Sequence, residues 1–414
     1  MFGLWKTWKA LEARGIMGIN RRNADYVLKY NRRSLYPIVD DKIITKERAI
    51  AAGIHVPEMF GVISTEKQID RLDEIIGGRS DFVVKPAQGA GGDGILVVAD
   101  RFEERFRTVS GKIISRADIE HQISSILTGL YSLGGHRDRA LIEYRVIPDQ
   151  IFKSISYEGV PDIRIIVLMG YPVMAMLRLP TRQSGGKANL HQGAIGVGVD
   201  LATGVTLRGT WLNNIISKHP DTTNAVDGVQ LPNWDGFMRL AAGCYELCGL
   251  GYIGVDMVLD QEKGPLILEL NARPGLNIQI ANDCGLTLRT QAVEKHLEEL
   301  AAEGPRRNRG RTHAVRPGAV RSRACRDELR PDATPPAHER PGALQSQPRH
   351  WPPIYHADLL APRPALPGRS GALFRRGPPR PRRGTARQCA ADCPTRPLRP
   401  DQRLASADAQ RSSR

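Results

Sequence analysis

The sequence predicts an α+β body of about 300 residues followed by a disordered tail. Helical and strand patterns alternate in mixed order with antiparallel hairpins, which argues against a doubly wound parallel sheet. Charge divides the chain. The whole carries 59 Lys+Arg against 44 Asp+Glu, yet residues 304–414 alone hold 24 Arg, no Lys and 8 acids. Residues 1–303 keep 35 basic and 36 acidic residues, an ordinary near-neutral balance. The tail also holds 18 of the 29 Pro and shows no apolar periodicity, so it cannot offset the entropy of ordering.

Several classes are excluded early. No stretch approaches the ~20 apolar residues of a transmembrane helix. The first residues lack the charged-then-apolar pattern of a secretory signal. Of the 6 Cys, Cys325, Cys389 and Cys393 lie in the tail, and Cys244, Cys248 and Cys284 make no Cys-x-x-Cys pair. No disulfide framework is predicted, and a reducing, cytoplasmic location fits. The tail has two readings. An arginine-rich nucleic-acid binder is one. Out-of-frame translation of a GC-rich gene is favoured, because Lys is absent and the preceding helical pattern stops abruptly at Gly304-Pro305.

Elements follow in order. Trp5, Trp8 and Leu11 with Lys6, Lys9 and Arg14 predict a short amphipathic helix within residues 1–41. Packing onto its own domain is favoured over docking a protein partner or a membrane face. Thr45 is expected to cap a helix over Lys46 to Ala52. Thr65 and Gln68 form a capping box for a helix reaching Ile76. Phe82 to Lys85 and Ile95 to Val98 read as strands around a Gly-rich loop, and Arg116 to Tyr131 as a helix. Ala140 to Ile147, Asp162 to Met169 and Pro172 to Leu179 read as strands. Gly, Asn and Pro between Thr181 and Asn233 predict loops with little helix. Asp235 is expected to cap a helix ending at Cys248, whose Cys244 and Cys248 pack in the core. Tyr252 to Leu259 and Pro265 to Asn271 form a strand pair.

Three constellations carry chemistry. The run from Lys85 to Gly94 places Gly89, Gly91, Gly92 and Gly94 after a strand that ends in Lys. Such a loop lets backbone N–H groups approach a polyanion. It is neither the Walker pattern nor the dinucleotide fingerprint, since a strand follows it. In the strand pair, a four-residue turn over Gln261 to Gly264 pairs Asp260 with Pro265 and places Asp256 opposite Glu269. Asn271 then shares the face of Glu269. Two carboxylates and an amide oxygen form a hard-oxygen set suited to Mg²⁺. The third group is Asp162-Ile163-Arg164, Arg178 and the run from Lys187 to Gly193, where charges end apolar strands. Arg273 follows the acidic strand directly and is expected to reach the same cleft.

Together and in this order, these groups resemble the ATP-grasp superfamily, most closely the RimK-type alpha-L-glutamate ligase-like proteins related to sugar-transfer-associated ATP-grasp proteins. The likeness runs from about Asp41 to Leu300. It implies two α+β lobes clamping ATP, with the domain over 42–303 and a lobe hinge near 143–147. Lys42 and Lys85 match lysines that contact nucleotide phosphates, and the loop from Gly89 to Gly94 matches the lid over them. Glu143 and Tyr144 match the hinge that holds adenine and ribose. Asp162 matches an acidic nucleotide-site residue, while Lys187 and Asn189 match groups near the γ-phosphate. Arg178 matches a group that stabilises the transferring phosphoryl oxygens, and Arg273 stands beside it as a further catalytic candidate. Asp256, Glu269 and Asn271 match ligands of Mg²⁺, or of Mn²⁺. The implied activity is ATP-dependent joining of a carboxylate to an amine through an acyl phosphate, with glutamate or another amino acid as a substrate. The alternatives are a non-catalytic ATP-binding regulatory module and a ligase acting on a cell-envelope saccharide or peptide. RimK-type ligases carry a substantial domain before the first Lys, whereas 41 residues precede Lys42 here.

Overall fold

Two antiparallel sheets, one per lobe, form the framework of the computed structural model of the chain, which describes residues 2–89 and 91–303. The expectations for residues 304–414 lie outside the described residues. Among the described residues no helix is long and apolar enough to cross a membrane.

The first sheet comprises β1 (Met59–Ile63), β2 (Phe82–Pro86), β3 (Leu96–Phe102), β4 (Arg105–Thr108), β5 (Ile113–Ser115) and β6 (Ala140–Glu143), in the order β1-β6-β2-β3-β4-β5. The helix Arg116–Leu127 covers it. Ile119, Ile123, Ile126 and Leu127 recur at helical spacing and pack on Phe82, Val84, Val98 and Ile142. Ser115 and Asp118 close its N-terminus reciprocally, the Asp118 carboxylate accepting from Ser115 N at 2.7 Å. The helix ends at Leu127, four residues short of the expected Tyr131. At Gly129 the chain runs so close to the His136 carbonyl that a Cβ would lie 2.2 Å from its oxygen. Gln68 accepts from Thr65 N at 3.2 Å, as a capping box requires, but the first turns, Glu66–Arg71, are a 3-10 helix before the α-helix Leu72–Ile76.

The helix carrying Lys42 begins a turn earlier than expected. It spans Lys42–Ala51, and the Asp41 carboxylate, not Thr45, caps it by accepting from Ile43 N at 3.0 Å. Thr45 Oγ1 instead donates to the Ile38 carbonyl at 2.6 Å. This start puts Lys42 and Lys46 one turn apart on one helical face.

The second sheet comprises β7 (Asp162–Leu168), β8 (Tyr171–Leu179), β9 (Ile195–Val199), β10 (Thr206–Trp211), β11 (Asn214–Ile216), β12 (Tyr252–Asp260) and β13 (Gly264–Asn271), in the order β11-β10-β9-β8-β7-β12-β13. Strands β9 to β11 occupy a stretch expected to be loop. The glycines of Ile195-Gly196-Val197-Gly198-Val199 are not turn signals. A Cβ on Gly198 would lie 2.5 Å from the Ala281 carbonyl, so the glycine makes room for the short helix Ile278–Ala281.

The helix Trp234–Cys248 covers one face of this sheet. Phe237, Ala241, Cys244 and Cys248 are buried there with Ile163, Ile165, Ile253 and Val255, so both cysteines are core groups as expected. Its N-cap is Asn233 rather than Asp235, and the Asn233 side chain makes no capping bond. Chain segments from both ends of the body cover the opposite face. Met17, Tyr26 and Val27 pack with Ile166, Leu168, Met174, Leu286 and Val293. Tyr26 shares a hydrogen bond of 2.8 Å with Thr290 Oγ1, and Met17 N donates to Gln279 Oε1 at 2.8 Å. The helix Phe2–Ala13 departs from expectation: Trp8 and Leu11 are exposed instead of packed on the domain.

Backbone meets backbone where these segments close. A Cβ on Gly285 would fall 2.0 Å from the Gly15 carbonyl carbon. The Gly285→Ala variant is therefore expected to lose about 2–3 kcal/mol, because backbone cannot yield as a flexible side chain would. Urea denaturation checks it, and a midpoint equal to wild type would refute the tight closure.

Candidate active site

The site is built on the β12–β13 hairpin. Asp256 lies opposite Glu269, as the register predicts, although by a different route. The loop is one residue shorter than expected, so Asp260 pairs with Gly264 rather than Pro265. A bulge between Asp256 and Met257 on the β12 side, where Leu268 is the extra residue on β13, then restores the pairing. Asp260 shapes the loop, its Oδ1 accepting from Glu262 N at 3.0 Å and Lys263 N at 2.9 Å. Asn271 turns its amide to both carboxylates, with Nδ2 at 3.1 Å from Asp256 Oδ2 and 3.5 Å from Glu269 Oε1.

Two arginines sit beneath this face. The β12–β7 register places Arg164 opposite Asp256, and the β7–β8 register places Asp162 opposite Arg178. Arg164 grips Asp256 with Nε at 2.6 Å and Nη2 at 2.5 Å. Arg178 grips Asp162 through Nε and Nη2, and its Nη2 also lies 3.0 Å from Asp256 Oδ2. All four side chains are largely buried, so the row balances two positive and two negative charges away from water. Burial by itself would raise the Asp256 carboxyl, but the guanidinium groups of Arg164 and Arg178 hold it below the ordinary carboxylate range. Asp162 moves the other way, raised by burial and by the adjacent Asp256 charge although Arg178 opposes. Arg164 was quoted in the sequence without a role. Its place opposite Asp256 needs the β12–β7 pairing, which joins strands far apart in the chain.

The first lobe reaches this face through its glycine-rich loop. Lys42 Nζ donates to the Gly89 carbonyl at 2.6 Å and lies 3.6 Å from Glu269 Oε2. Lys187 Nζ donates to Asp93 Oδ1 at 3.0 Å. A Cβ on Gly92 would approach Lys187 at 3.7 Å, and one on Gly91 would approach Asn189 Nδ2 at 4.0 Å. Gly91 and Gly92 have φ of 69° and 80°, a region that suits glycine. Gly94 abuts the Tyr131 ring. Asn189 Oδ1 accepts from His191 N at 3.0 Å, so its amide nitrogen is the end turned to the loop.

Beneath the loop, Lys85 and Glu143 are paired on adjacent strands, Nζ to Oε1 at 2.5 Å. Lys46, absent from the expected set, takes the other carboxylate oxygen at 2.8 Å. Its signal was the four-residue step from Lys42. The chain leaves the first sheet at Tyr144, whose hydroxyl donates to Asp260 Oδ2 at 3.1 Å and whose ring lies 4.2 Å from Lys263 Nζ. Burial and the Asp260 charge push the Tyr144 hydroxyl up to about 12. Arg273 is exposed, and its guanidinium stacks 5.2 Å from the Tyr36 ring centre instead of joining the buried row.

Over residues 21–295, more than half of its length, the chain matches the sugar-transfer associated ATP-grasp family. It belongs to that family. A curated relative of this ATP-grasp protein, the "Probable alpha-L-glutamate ligase" of Parasynechococcus marenigrum (strain WH8102), is 24% identical over 284 residues. The match covers 68% of this chain and 45% of the relative, so the chain spans less than half of that relative's length. Among solved structures, the ATP-grasp ligase PsnB complexed with a phosphomimetic variant of its minimal precursor, Mg and ADP is 14% identical, covering 65% of this chain and 62% of that one with a TM-score of 0.35. The D-alanine–D-alanine ligase from Bacillus anthracis complexed with ATP is also 14% identical, covering 65% and 68% with a TM-score of 0.35.

Membership of the ATP-grasp family implies ATP and a divalent cation. The donor chemistry fits. Asp256, Glu269 and Asn271 offer two carboxylates and an amide on one hairpin face, and hard oxygen donors suit Mg²⁺ or Mn²⁺. Asp256 Oδ2 accepts from Arg164 and Asn271 and lies 3.0 Å from Arg178 Nη2, whereas Oδ1 accepts from Arg164 alone. Oδ1 is thus the atom of Asp256 with coordinating capacity left. Among the described residues no group of three or more His, Cys, Asp or Glu gathers as a metal site, and Asn271 turns its amide nitrogen to the two carboxylates.

Proposed function

We propose that the chain is an ATP- and Mg²⁺-dependent carboxylate–amine ligase that works through an acyl phosphate. One observation carries this reading: Lys42 joins the glycine-rich loop of the first lobe to Glu269 of the second, beside a row of buried arginines. That arrangement supports a phosphate-handling cleft between the lobes.

In this reading, a substrate carboxylate oxygen attacks the γ-phosphorus of ATP and ADP leaves. An amine then attacks the acyl carbon, releasing phosphate and a proton as the amide forms. Lys42 and Lys85 bind nucleotide phosphates, with Gly89, Gly91, Gly92 and Gly94 folding over them. Glu143 and Tyr144 border the adenosine. Arg178, with Lys187 and Asn189 of the same lobe, meets the charge that develops on the transferred phosphoryl group. Asp162 orients Arg178 through two hydrogen bonds. Asp256, Glu269 and Asn271 hold the cation, which when bound supplies charge neutralisation of the phosphate oxygens. Arg273, exposed and stacked on Tyr36, is left outside the phosphate-handling row. The glutamate-ligase relative supports glutamate or another amino acid as one substrate. The family's association with sugar transfer supports a saccharide-linked acceptor.

The test is isothermal titration of Mg²⁺–ATP into the full chain and into Glu269→Gln and Asn271→Ala. Wild type is expected to bind, with each variant weakened about tenfold or more and circular dichroism unchanged. Phosphate release is then screened with amino acids and amino sugars as amine donors. A folded wild type that neither binds Mg²⁺–ATP nor releases phosphate with any acceptor sinks the ligase proposal.

A further inference from the structure

We infer that Lys46 is a positioning residue whose share of Glu143 leaves Lys85 free to hold a nucleotide phosphate. This rests on the proposal that ATP binds at Lys85.

The geometry is that of one anion divided between two cations. Glu143 is buried, and its two carboxylate oxygens face different lysines: Oε1 lies 2.5 Å from Lys85 Nζ and Oε2 lies 2.8 Å from Lys46 Nζ. Lys46 is only 1% exposed, and its ammonium also donates to the Pro57 carbonyl at 2.8 Å. A buried carboxylate beside a single lysine would neutralise it and turn it away from any ligand. Here the cluster carries two positive charges and one negative, so an uncompensated positive charge remains in a poorly solvated place. Such a surplus is costly in the empty protein, and an arriving anion relieves it. Lys85 is the member at the end of β2, beside the loop, so the surplus is presented there.

The charged groups acting on Lys46 are Glu143 of β6 and Lys85 of β2. Burial lowers the Lys46 ammonium to about 8, against the pull of Glu143 and with the repulsion of Lys85. Above that pH Lys46 becomes neutral, and Glu143 is left to Lys85 alone. The attraction for phosphate then falls. Nucleotide affinity should therefore decline with rising pH, and in proportion to the phosphates carried.

The experiment measures binding of ATP and of adenosine to the full chain from pH 7 to 9.5, for wild type, Lys46→Met and Lys46→Arg. Wild type is expected to lose about tenfold in ATP affinity across that range, from removal of one nearby charge. Lys46→Met should bind ATP about tenfold more weakly already at pH 7 and show no further fall. Lys46→Arg, which stays charged, should hold its ATP affinity level. Adenosine binding should be alike in all three. Equal losses for ATP and adenosine, or ATP affinity in Lys46→Met matching wild type, would overturn the inference, because a merely structural lysine does not discriminate by phosphate. A level ATP profile in wild type overturns it even if neither variant folds. Wild type that binds no ATP at any pH removes the nucleotide reading itself, a result distinct from the others.

Discussion

The Arg178→Met variant loses about 3–5 kcal/mol of stability at pH 8. Arg178 is the cation that pairs with Asp162 through both carboxylate oxygens, and its Nη2 lies 3.0 Å from Asp256 Oδ2 as well. Methionine fills much of the space but supplies no charge. Asp256 keeps Arg164, whereas Asp162 is left buried without its cation. The sign of the pH dependence follows. Burial already raises the Asp162 carboxyl, and removing Arg178 raises it further, so the variant binds a proton more readily folded than unfolded. The deficit is therefore largest above pH 7 and narrows on acidification. Adding Asp162→Asn to Arg178→Met recovers part of the loss at pH 8. Chemical denaturation of the single and double variants at pH 5 and pH 8 tests both points. A deficit that is equal at the two pH values contradicts the buried-charge account.

The Asn31→Leu variant is expected to lose about 3–4 kcal/mol, from three backbone groups left without partners. Asn31 Nδ2 donates to the carbonyls of Tyr252 at 2.7 Å and Ala272 at 2.9 Å, and its Oδ1 accepts from Tyr252 N at 2.9 Å. Leucine has similar volume and none of these bonds. Tyr252 opens β12, and Ala272 directly follows Asn271, so one side chain ties the two ends of the acidic hairpin to an early segment. Amide exchange at Tyr252 should accelerate more than exchange in the first sheet. A loss under 1 kcal/mol, with Tyr252 still protected, would mean that solvent replaces the lost partners.

Local chemistry was legible in the sequence, and long-range pairing was not. The capping box of Thr65 and Gln68 could be read because the two are three residues apart, whereas that of Ser115 and Asp118 went unread. The facing of Asp256 and Glu269 was also readable, because a hairpin ties register to loop length. Yet the loop was misjudged by one residue and the Leu268 bulge went unseen. Those two differences cancel at Asp256, so the pairing emerged by compensation. Strand β9 was hidden because Gly196 and Gly198 read as turn signals, whereas a neighbouring helix requires them. Arg164 had no legible role, since its partner lies 92 positions away. Lys46 was hidden by the wrong cap: a helix starting at Thr45 gives no reason to group it with Lys42. Asn31 offered no signal at all, because its partners are single backbone groups on distant elements.

The closing of the second lobe bears on how a ribosome delivers this chain. Every strand of the first sheet falls between Met59 and Glu143, so that lobe has all its strands once those residues have emerged. The second sheet waits. Met17 and Tyr26 find Gln279 and Thr290 across 262 and 264 positions. Until Thr290 clears the exit tunnel, Ile166, Leu168, Met174 and Met176 lack part of the cover they have in the finished protein. The segment around Met17 and Tyr26, synthesised well before its partners, is thus among the last to be seated, and a nascent chain paused before Thr290 presents an adhesive apolar sheet to chaperones and to its neighbours on the same message.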